Sequence, residues 1–144
     1  MLFRNQYWFL SNMYPCVIEY KGITYSCVEA AFQAQKCPER AQEFKGLNGF
    51  EAKRLGRKVN LVAGWDATKD RIMYEIVRAK FMQNADLAQR LLDTMPEELV
   101  EDNTWNDFYW GRCWGRGLNK LGQILDQVRD ELYDLCQSAP PGTR

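Results

Sequence analysis

The strongest constraint on the fold is an apolar stripe near the carboxyl end of the sequence. Six residues recur there at intervals of three and four positions: Leu118, Leu121, Leu125, Val128, Leu132 and Leu135. This spacing places all six on one face of a helix over residues 118–135. An apolar face needs a partner, so the helix must pack on a core of its own chain or form a dimer seam. The 144 residues are enough for one such core.

The clearest β signal lies near the amino end. Residues 16–27 alternate around Lys21 and Gly22 with β-branched and aromatic side chains, which predicts a β-hairpin. Periodicity and breaker residues predict helices at 28–37, 38–45, 49–57, 68–83 and 85–94, and a short strand at 98–101. The predicted fold class is α+β, a mostly helical single domain over residues 1–136 with a small antiparallel sheet. Residues 137–144 have the composition of a flexible tail.

Composition excludes several kinds of chemistry. The 19 Lys and Arg residues balance 19 Asp and Glu residues, so no global field draws the protein to nucleic acid or to an anionic membrane. The absence of histidine excludes Ser-His and Cys-His nucleophile pairs and imidazole metal ligands. Five cysteines without a C-x-x-C pair favour free thiols and a reducing, cytoplasmic location. We expect no leader, no membrane span and no metal site, so any chemistry depends on carboxylates and lysines.

Three polar residues share one stripe of the predicted helix over residues 28–37. Glu29, Gln33 and Lys36 lie at positions i, i+4 and i+7, with apolar residues on both sides. Stripes that face solvent are normally bordered by polar residues, so the pattern indicates the wall of a pocket. The alternative is an exposed ladder of Glu and Lys side chains.

Further candidates come from three other segments. Lys80 and Asn84 fall near the centre of an apolar helix face, where a buried lysine is a usable nucleophile or acid and an exposed one merely covers apolar surface. Residues 105–114 hold five aromatic residues, which serve either as a stacking platform for a base or as a core plug. The basic run Lys53, Arg54, Arg57 and Lys58 is either a phosphate clamp or a solvated face.

Eight strings along the chain, taken in order, resemble the NADAR family. They are Phe9-Leu10-Ser11-Asn12, Tyr25 with VEAAFQAQK at 28–36, AKRLGR at 52–57, Trp65-x3-Lys69-x3-Met73, AKFMQN at 79–84, LVE at 99–101, NDFYWG at 106–111 and GLNKLGQIL at 117–125. The resemblance spans about residues 9–133, which is nearly the whole predicted domain. Many spaced motifs in one order are more specific than any motif alone.

The resemblance implies hydrolysis of an N-glycosidic bond between a ribose C1 atom and a nitrogen, without a cofactor or a metal. The implied substrates are phosphoribosylamine intermediates of riboflavin biosynthesis, or ADP-ribose attached to guanine in nucleic acid. Two other classes stay open: a non-catalytic module that binds ADP-ribose or nucleotides, and a structural nucleic-acid-binding domain. A binding module has no use for a glutamate inside an apolar-flanked stripe, so Glu29 favours the enzyme.

The family pattern also implies residue roles. It places a conserved glutamate at Glu29, a tryptophan at Trp65 and an acidic residue at Asp107, while relatives often have histidine where this chain has Ala30. Lys36 and Lys80 are candidates to bind phosphate, to protonate the leaving base or to attack the opened C1 aldehyde as a Schiff base. The expected substrate-binding residues are Ser11, Asn12, Gln33, Arg54, Arg57, Trp65, Asn84, Trp110, Gly111 and Asn119, with the arginines on phosphate and the tryptophans on the base.

Overall fold

This computed structural model describes residues 1–138, which contain seven helices and four short strands. The helices are a 3-10 helix at Asn5–Leu10, α1 (Val28–Ala34), a second 3-10 helix at Pro38–Phe44, α2 (Gly49–Gly56), α3 (Trp65–Gln83), α4 (Ala85–Leu92) and α5 (Lys120–Ser138). The strands are β1 (Ile18–Tyr20), β2 (Ile23–Tyr25), β3 (Asp102–Asn103) and β4 (Arg112–Cys113). The predicted class, α+β and mostly helical with a small antiparallel sheet, is confirmed.

The hairpin forms where the alternating pattern predicted it. β1 and β2 pair antiparallel with Ile18 opposite Tyr25. Lys21 and Gly22 join them with φ angles of 51° and 82°, the left-handed backbone that a tight two-residue hairpin turn requires. Ile18, Tyr20 and Tyr25 are buried, so one face of the hairpin covers the core.

The apolar face of α5 packs into the core against α3 and α4. Leu121, Leu125 and Val128 are buried, which confirms the core-facing interpretation of the stripe. The two ends of the stripe differ, because Leu118 is 53% exposed and Leu135 is 48% exposed. Leu118 lies outside the helix, since Asn119 adopts a φ angle of 54° and α5 begins only at residue 120.

The carboxyl end of α5 extends beyond its predicted limit. Gln137 and Ser138 are helical, although both belong to the segment expected to be a tail. Residues 139–144, the rest of that predicted tail, lie outside the described residues.

Two helix boundaries differ from the predicted ones for local reasons. α1 ends at Ala34 rather than at residue 37, because Pro38 drives the preceding residue out of the helical region and Cys37 has φ −144° and ψ 80°. The segment after Pro38 is a 3-10 helix. α3 begins three residues before its predicted start, directly after Gly64, and this places Trp65 in its first turn.

The strand predicted at residues 98–101 is wrong. Leu99 and Val100 are buried there, but the pairing begins at Asp102, where β3 runs parallel to β4. The segment before β3 is held by a side chain instead of a strand partner. Asn119 Nδ2 donates to the Leu99 carbonyl and Asn119 Oδ1 accepts from the Glu101 N–H, each over 3.0 Å.

The cysteines are in the reduced state that the sequence predicted. All five are free thiols, as predicted. None of the helices within residues 1–138 is long and apolar enough to cross a membrane.

Candidate active site

A cavity of about 680 Å³ opens between α1, α2, the start of α3 and the loop that follows residue 100. This volume is within the range of small-ligand sites. Eight of the predicted site residues line it: Ser11, Asn12, Glu29, Gln33, Lys36, Trp65, Asp107 and Trp110. Residues far apart in the sequence therefore meet at one place.

Glu29 is the most deeply buried residue among those that present a carboxyl group to the cavity. It lies in the first turn of α1 and is only 6% exposed. Its N–H donates to the Asn12 carbonyl over 3.0 Å, and Gln33 Nε2 donates to Glu29 Oε1 over 2.9 Å. Burial raises the pKa of Glu29, against the opposite effects of the Gln33 bond and of the Lys53 and Lys36 ammonium groups. A fixed carboxyl group of this kind is suited to proton transfer or to stabilising a developing positive charge.

Helix α2 packs closely on the polar stripe of α1. The contact is at Gly56, where an added Cβ atom would lie 2.0 Å from Gln33 Oε1. Gln33 Oε1 has no hydrogen-bond partner among the described residues. The absence of a side chain at residue 56 thus leaves the space in which the Gln33 amide reaches Glu29.

Asp107 is presented by a loop that Asn103 holds together. Asn103 Nδ2 donates to the carbonyls of Asp107 and Arg112, over 2.9 and 3.1 Å, and Asn103 Oδ1 accepts from the Asp107 N–H. Asp107 Oδ1 in turn accepts from the N–H groups of Tyr109 and Trp110. The loop is therefore a tight turn that carries a carboxylate and an indole to the same cavity.

Aromatic side chains form one wall of the cavity. The rings of Phe32 and Trp65 lie 5.0 Å apart between centroids, and Phe32 meets Trp110 edge to face at 5.5 Å. Such offset and edge-to-face contacts fix the rings relative to one another. Trp105 adds an exposed indole to the lining. The rings are inclined to one another by 53° and 86°, and they form a packed aromatic wall that offers ring faces to a planar base.

Three lysine side chains line the same cavity as the carboxyl groups. They are Lys36, Lys53 and Lys69. Burial lowers the pKa of Lys36, although the Glu29 carboxylate works in the other direction. Lys69 Nζ donates to Asp66 over 3.2 Å and lies 4.3 Å from the centroid of the Tyr109 ring.

Five charged residues of the cavity lie outside the predicted set of site residues: Arg4, Asp102, Glu101, Lys53 and Lys69. The last three lie within segments that the sequence had marked, Lys53 as part of a possible phosphate clamp. Glu101 ends the string LVE, Lys53 belongs to the basic run, and Lys69 belongs to the spaced motif that begins at Trp65. The signal that could have found Glu101 is a carboxylate directly after the apolar pair Leu99 and Val100.

Lys80 does not line the cavity, contrary to the expectation that it contacts substrate. It is 1% exposed, and its ammonium donates to the carbonyls of Phe9 and Ser11 over 2.6 and 3.1 Å. Lys80 thus ties α3 to the end of the first 3-10 helix, next to the cavity wall. Asn84 is also structural, because Nδ2 donates to the carbonyls of Val17 and Lys80.

Four other expected binding residues lie outside the cavity lining. Arg54 on α2 and Arg57 directly after it are exposed, because the helix turns Lys53 toward the cavity instead. Gly111 and Asn119 position the backbone of Glu101: an added Cβ at residue 111 would lie 2.2 Å from the Glu101 carbonyl oxygen, and Asn119 Oδ1 accepts from the Glu101 N–H.

No group of three or more His, Cys, Asp or Glu residues within 1–138 is arranged to hold a metal ion.

The fold and the site together define a small α+β domain with a cavity that combines buried carboxyl groups, an aromatic wall and ammonium groups. The NADAR domain profile matches residues 2–133. The chain belongs to the NADAR family, as the resemblance of its motifs predicted.

Individual relatives agree with this assignment. The N-glycosidase YbiA of Escherichia coli strain K12 is 37% identical over 134 residues, which are 89% of this chain and 83% of that protein. A riboflavin biosynthesis protein of Vibrio vulnificus, VVA0006, is 39% identical over 132 residues, which are 88% of this chain and 36% of that protein. The solution structure of E. coli YbiA matches with a TM-score of 0.87 and 32% identity, over 100% of this chain and 90% of the other.

Proposed function

We propose that the cavity hydrolyses the bond between ribose C1 and nitrogen in a phosphorylated riboside that carries a planar base. The protein is an N-glycoside hydrolase by its family and by relatives that carry this activity in their names. The observation that carries the finer proposal is the buried Glu29 carboxyl, held by Gln33 in a cavity with an aromatic wall and three lysines.

The chemistry follows from the charge that develops during the reaction. Breaking a C1–N bond makes the ribose ring positive, so a carboxylate beside C1 stabilises the transition state or activates the attacking water. Glu29 and Asp107 both present carboxyl groups to the cavity. We assign Glu29 to the sugar, because its side chain is fixed by Gln33 and its backbone by Asn12.

Base and phosphate would lie at different walls. The cluster of Phe32, Trp65 and Trp110 supplies a stacking surface for the base. We assign the phosphate to Lys53 and Lys69, which line the cavity, rather than to Arg54 and Arg57, which do not. An ammonium group binds phosphate as a point charge, so this exchange preserves the predicted interaction.

Lys36 has two roles compatible with its position. It lies in the cavity with a lowered pKa, which suits either a phosphate contact or attack of its neutral amine on the opened C1 aldehyde. Borohydride added during turnover separates the two roles. A reduced adduct on Lys36 supports the Schiff base, and its absence during full turnover rejects it.

Two sources of the substrate share the same chemistry. A free phosphoribosylamine of riboflavin biosynthesis is supported by the name of the Vibrio vulnificus relative, of which this chain spans about a third. ADP-ribose on guanine in nucleic acid presents the same C1–N bond with two phosphates. A cytoplasmic location is consistent with the five free thiols and with either source.

The test offers purified protein both substrates in parallel and detects the released base by mass spectrometry. We expect release from one of them, and a loss of roughly 10²–10⁴-fold in kcat in Glu29→Gln, because the variant keeps the shape of the side chain and removes its charge. Glu19→Gln is the matched control, since Glu19 is an exposed residue of β1.

The outcomes separate the function classes. Release that is lost in Glu29→Gln and kept in Glu19→Gln supports the hydrolase and names its substrate. Binding of ADP-ribose without release from either substrate would instead indicate a non-catalytic binding module.

A further inference from the structure

Glu101 is a carboxyl group of the cavity that neither the sequence motifs nor the proposed roles explain. Its backbone is held on three sides: Asn119 Oδ1 accepts from its N–H, the Arg112 N–H donates to its carbonyl over 2.9 Å, and Gly111 packs against that carbonyl. Asn119 itself is buried in the left-handed conformation, which is unusual for a residue other than glycine. The surrounding structure therefore constrains where this one side chain can lie.

The carboxyl group of Glu101 forms no hydrogen bond and no ion pair within the part of the chain that the structure describes. Oε2 is fully buried and forms no hydrogen bond within the described residues. It lies beside Gly111, where an added Cβ would be 2.7 Å from it. Oε1 also has no hydrogen-bond or ion-pair partner in this part of the chain, and since the residue lines the cavity, Oε1 is the oxygen that a ligand can reach.

The charged groups that face Glu101 come from three elements. The carboxyl groups of Asp107 in the following loop and of Glu29 in α1 disfavour a negative charge on Glu101, and the Lys53 ammonium group from α2 favours it. Glu29 and Asp107 differ from Glu101 in one respect: each accepts a hydrogen bond from an N–H donor, from Gln33 or from the loop backbone. Carboxyl groups in such contrasting environments divide into an acid and a base.

We propose that Glu101 is the catalytic proton donor to the departing nitrogen, which extends the proposed hydrolysis and rests on it. In this step the C1–N bond breaks, the Glu101 proton moves to the nitrogen, and the free base leaves. Water then forms the new C1–O bond and gives its proton to the Glu29 carboxylate. Proton exchange with solvent returns both carboxyl groups to their starting states, so the sum is addition of one water across the bond.

The pKa of Glu101 agrees with its position in the cavity. Burial, together with the Asp107 and Glu29 charges, raises the pKa of Glu101 to about 8, although Lys53 opposes the shift. A carboxyl group of this kind keeps its proton at neutral pH and still exchanges it readily, as a general acid must. The folded state then binds more protons than the unfolded state above pH 4.5, so ionisation of Glu101 destabilises the fold as the pH rises toward 8.

The experiment compares Glu101→Gln with wild type and with Glu97→Gln, an exposed glutamate four residues away. We expect kcat to fall roughly 10²–10⁴-fold with KM changed less than about threefold, because the acid acts only in the transition state. In the wild type, kcat/KM should fall above an apparent pKa near 8, and this alkaline limb should be missing from the residual activity of the variant. Glu97→Gln should match the wild type in both.

A melting series distinguishes failure of this proposal from failure of the proposed hydrolysis. Relative to wild type, Glu101→Gln should gain at least about 3 °C in Tm between pH 5 and pH 8.5, because it lacks the group that ionises at a cost. If wild-type protein turns over its substrate and Glu101→Gln does so equally fast, Glu101 is not the donor and the hydrolase stands. If no substrate is turned over, the proposed hydrolysis is wrong. If, in addition, the Tm difference between Glu101→Gln and wild type does not change with pH, Glu101 does not carry the proposed proton.

Discussion

At the scale of single residues, the site depends on where side chains are absent as much as on where they are present. Gly56 leaves the space that the Gln33 amide occupies, and Gly111 leaves the space beside Glu101. The spacing of Glu29 and Gln33 was readable from the sequence, because one helical turn separates them. The role of Gly56 was not readable, since it depends on how closely two helices approach.

Gly56→Ala tests this close approach. The added Cβ would lie 2.0 Å from Gln33 Oε1 and 2.9 Å from its Cδ, so Gln33 must move and its bond to Glu29 must lengthen. We expect kcat/KM to fall at least about tenfold and the free energy of unfolding to fall by about 1–3 kcal/mol, despite the better helix propensity of alanine. Steady-state kinetics and urea unfolding measure the two effects.

Gly46→Ala is the matched control. Gly46 has open space around it but a φ angle of 80°, so alanine there introduces backbone strain alone. It should cost about 1 kcal/mol in stability and leave activity unchanged. Equal activity of Gly56→Ala and wild type would show that Gln33 relocates freely and does not hold Glu29.

At the scale of elements, α2 is the helix that completes the cavity. It supplies Phe50 and Lys53 to the lining and places Gly56 against α1. Its start is set by a capping box, in which Asn48 Oδ1 accepts from the Glu51 N–H and Glu51 Oε1 accepts from the Asn48 N–H, each over 2.9 Å. The helix itself was predictable because this signal is local.

Asn48→Ala should lower the free energy of unfolding by about 1 kcal/mol, because the Glu51 N–H in the first turn loses its acceptor. Urea unfolding measures the change, and KM should rise modestly as the first turn that carries Phe50 frays. Asn60→Ala, at an exposed residue after α2, should change neither quantity. An unchanged stability in Asn48→Ala would mean that packing alone sets the start of α2.

At the scale of the whole molecule, Lys80 joins regions that are distant in the sequence. From the last turn of α3 it donates to the carbonyls of Phe9 and Ser11, and Cys16 and Cys27 at the two ends of the hairpin segment lie close enough to affect its charge. Burial lowers the pKa of Lys80 from 10.5 to about 8, against the effect of the two thiols. Burial of the charged Lys80 ammonium group at neutral pH therefore lowers the stability of the folded state.

This cost should appear in the pH dependence of global unfolding. Between pH 8 and 10.5 the unfolded state binds more protons at residue 80 than the folded state, so wild-type stability should rise with pH relative to Lys80→Met. The expected relative gain is up to about 3 kcal/mol across that window. Urea unfolding at several pH values measures it, with Lys58→Met, at an exposed lysine, as the control. Parallel curves for wild type and Lys80→Met would contradict the burial of a titrating ammonium.

The sequence by itself determined the local structure: the hairpin within residues 16–27, the helices and the apolar stripe of α5. These features depend on periodicity, turn residues and caps within a few positions. The NADAR motifs likewise identified the family without any coordinates.

Only the tertiary structure decided which charged residues meet. The sequence placed Lys80 on an apolar face but not the carbonyls that hold it, and it gave no sign that Lys69 and Glu101 share a cavity with Glu29. The physical reason is that burial, hydrogen-bond partners and neighbouring charges are set by contacts between distant segments. The chemistry of a carboxyl or an ammonium group depends on those three quantities more than on its neighbours in the chain.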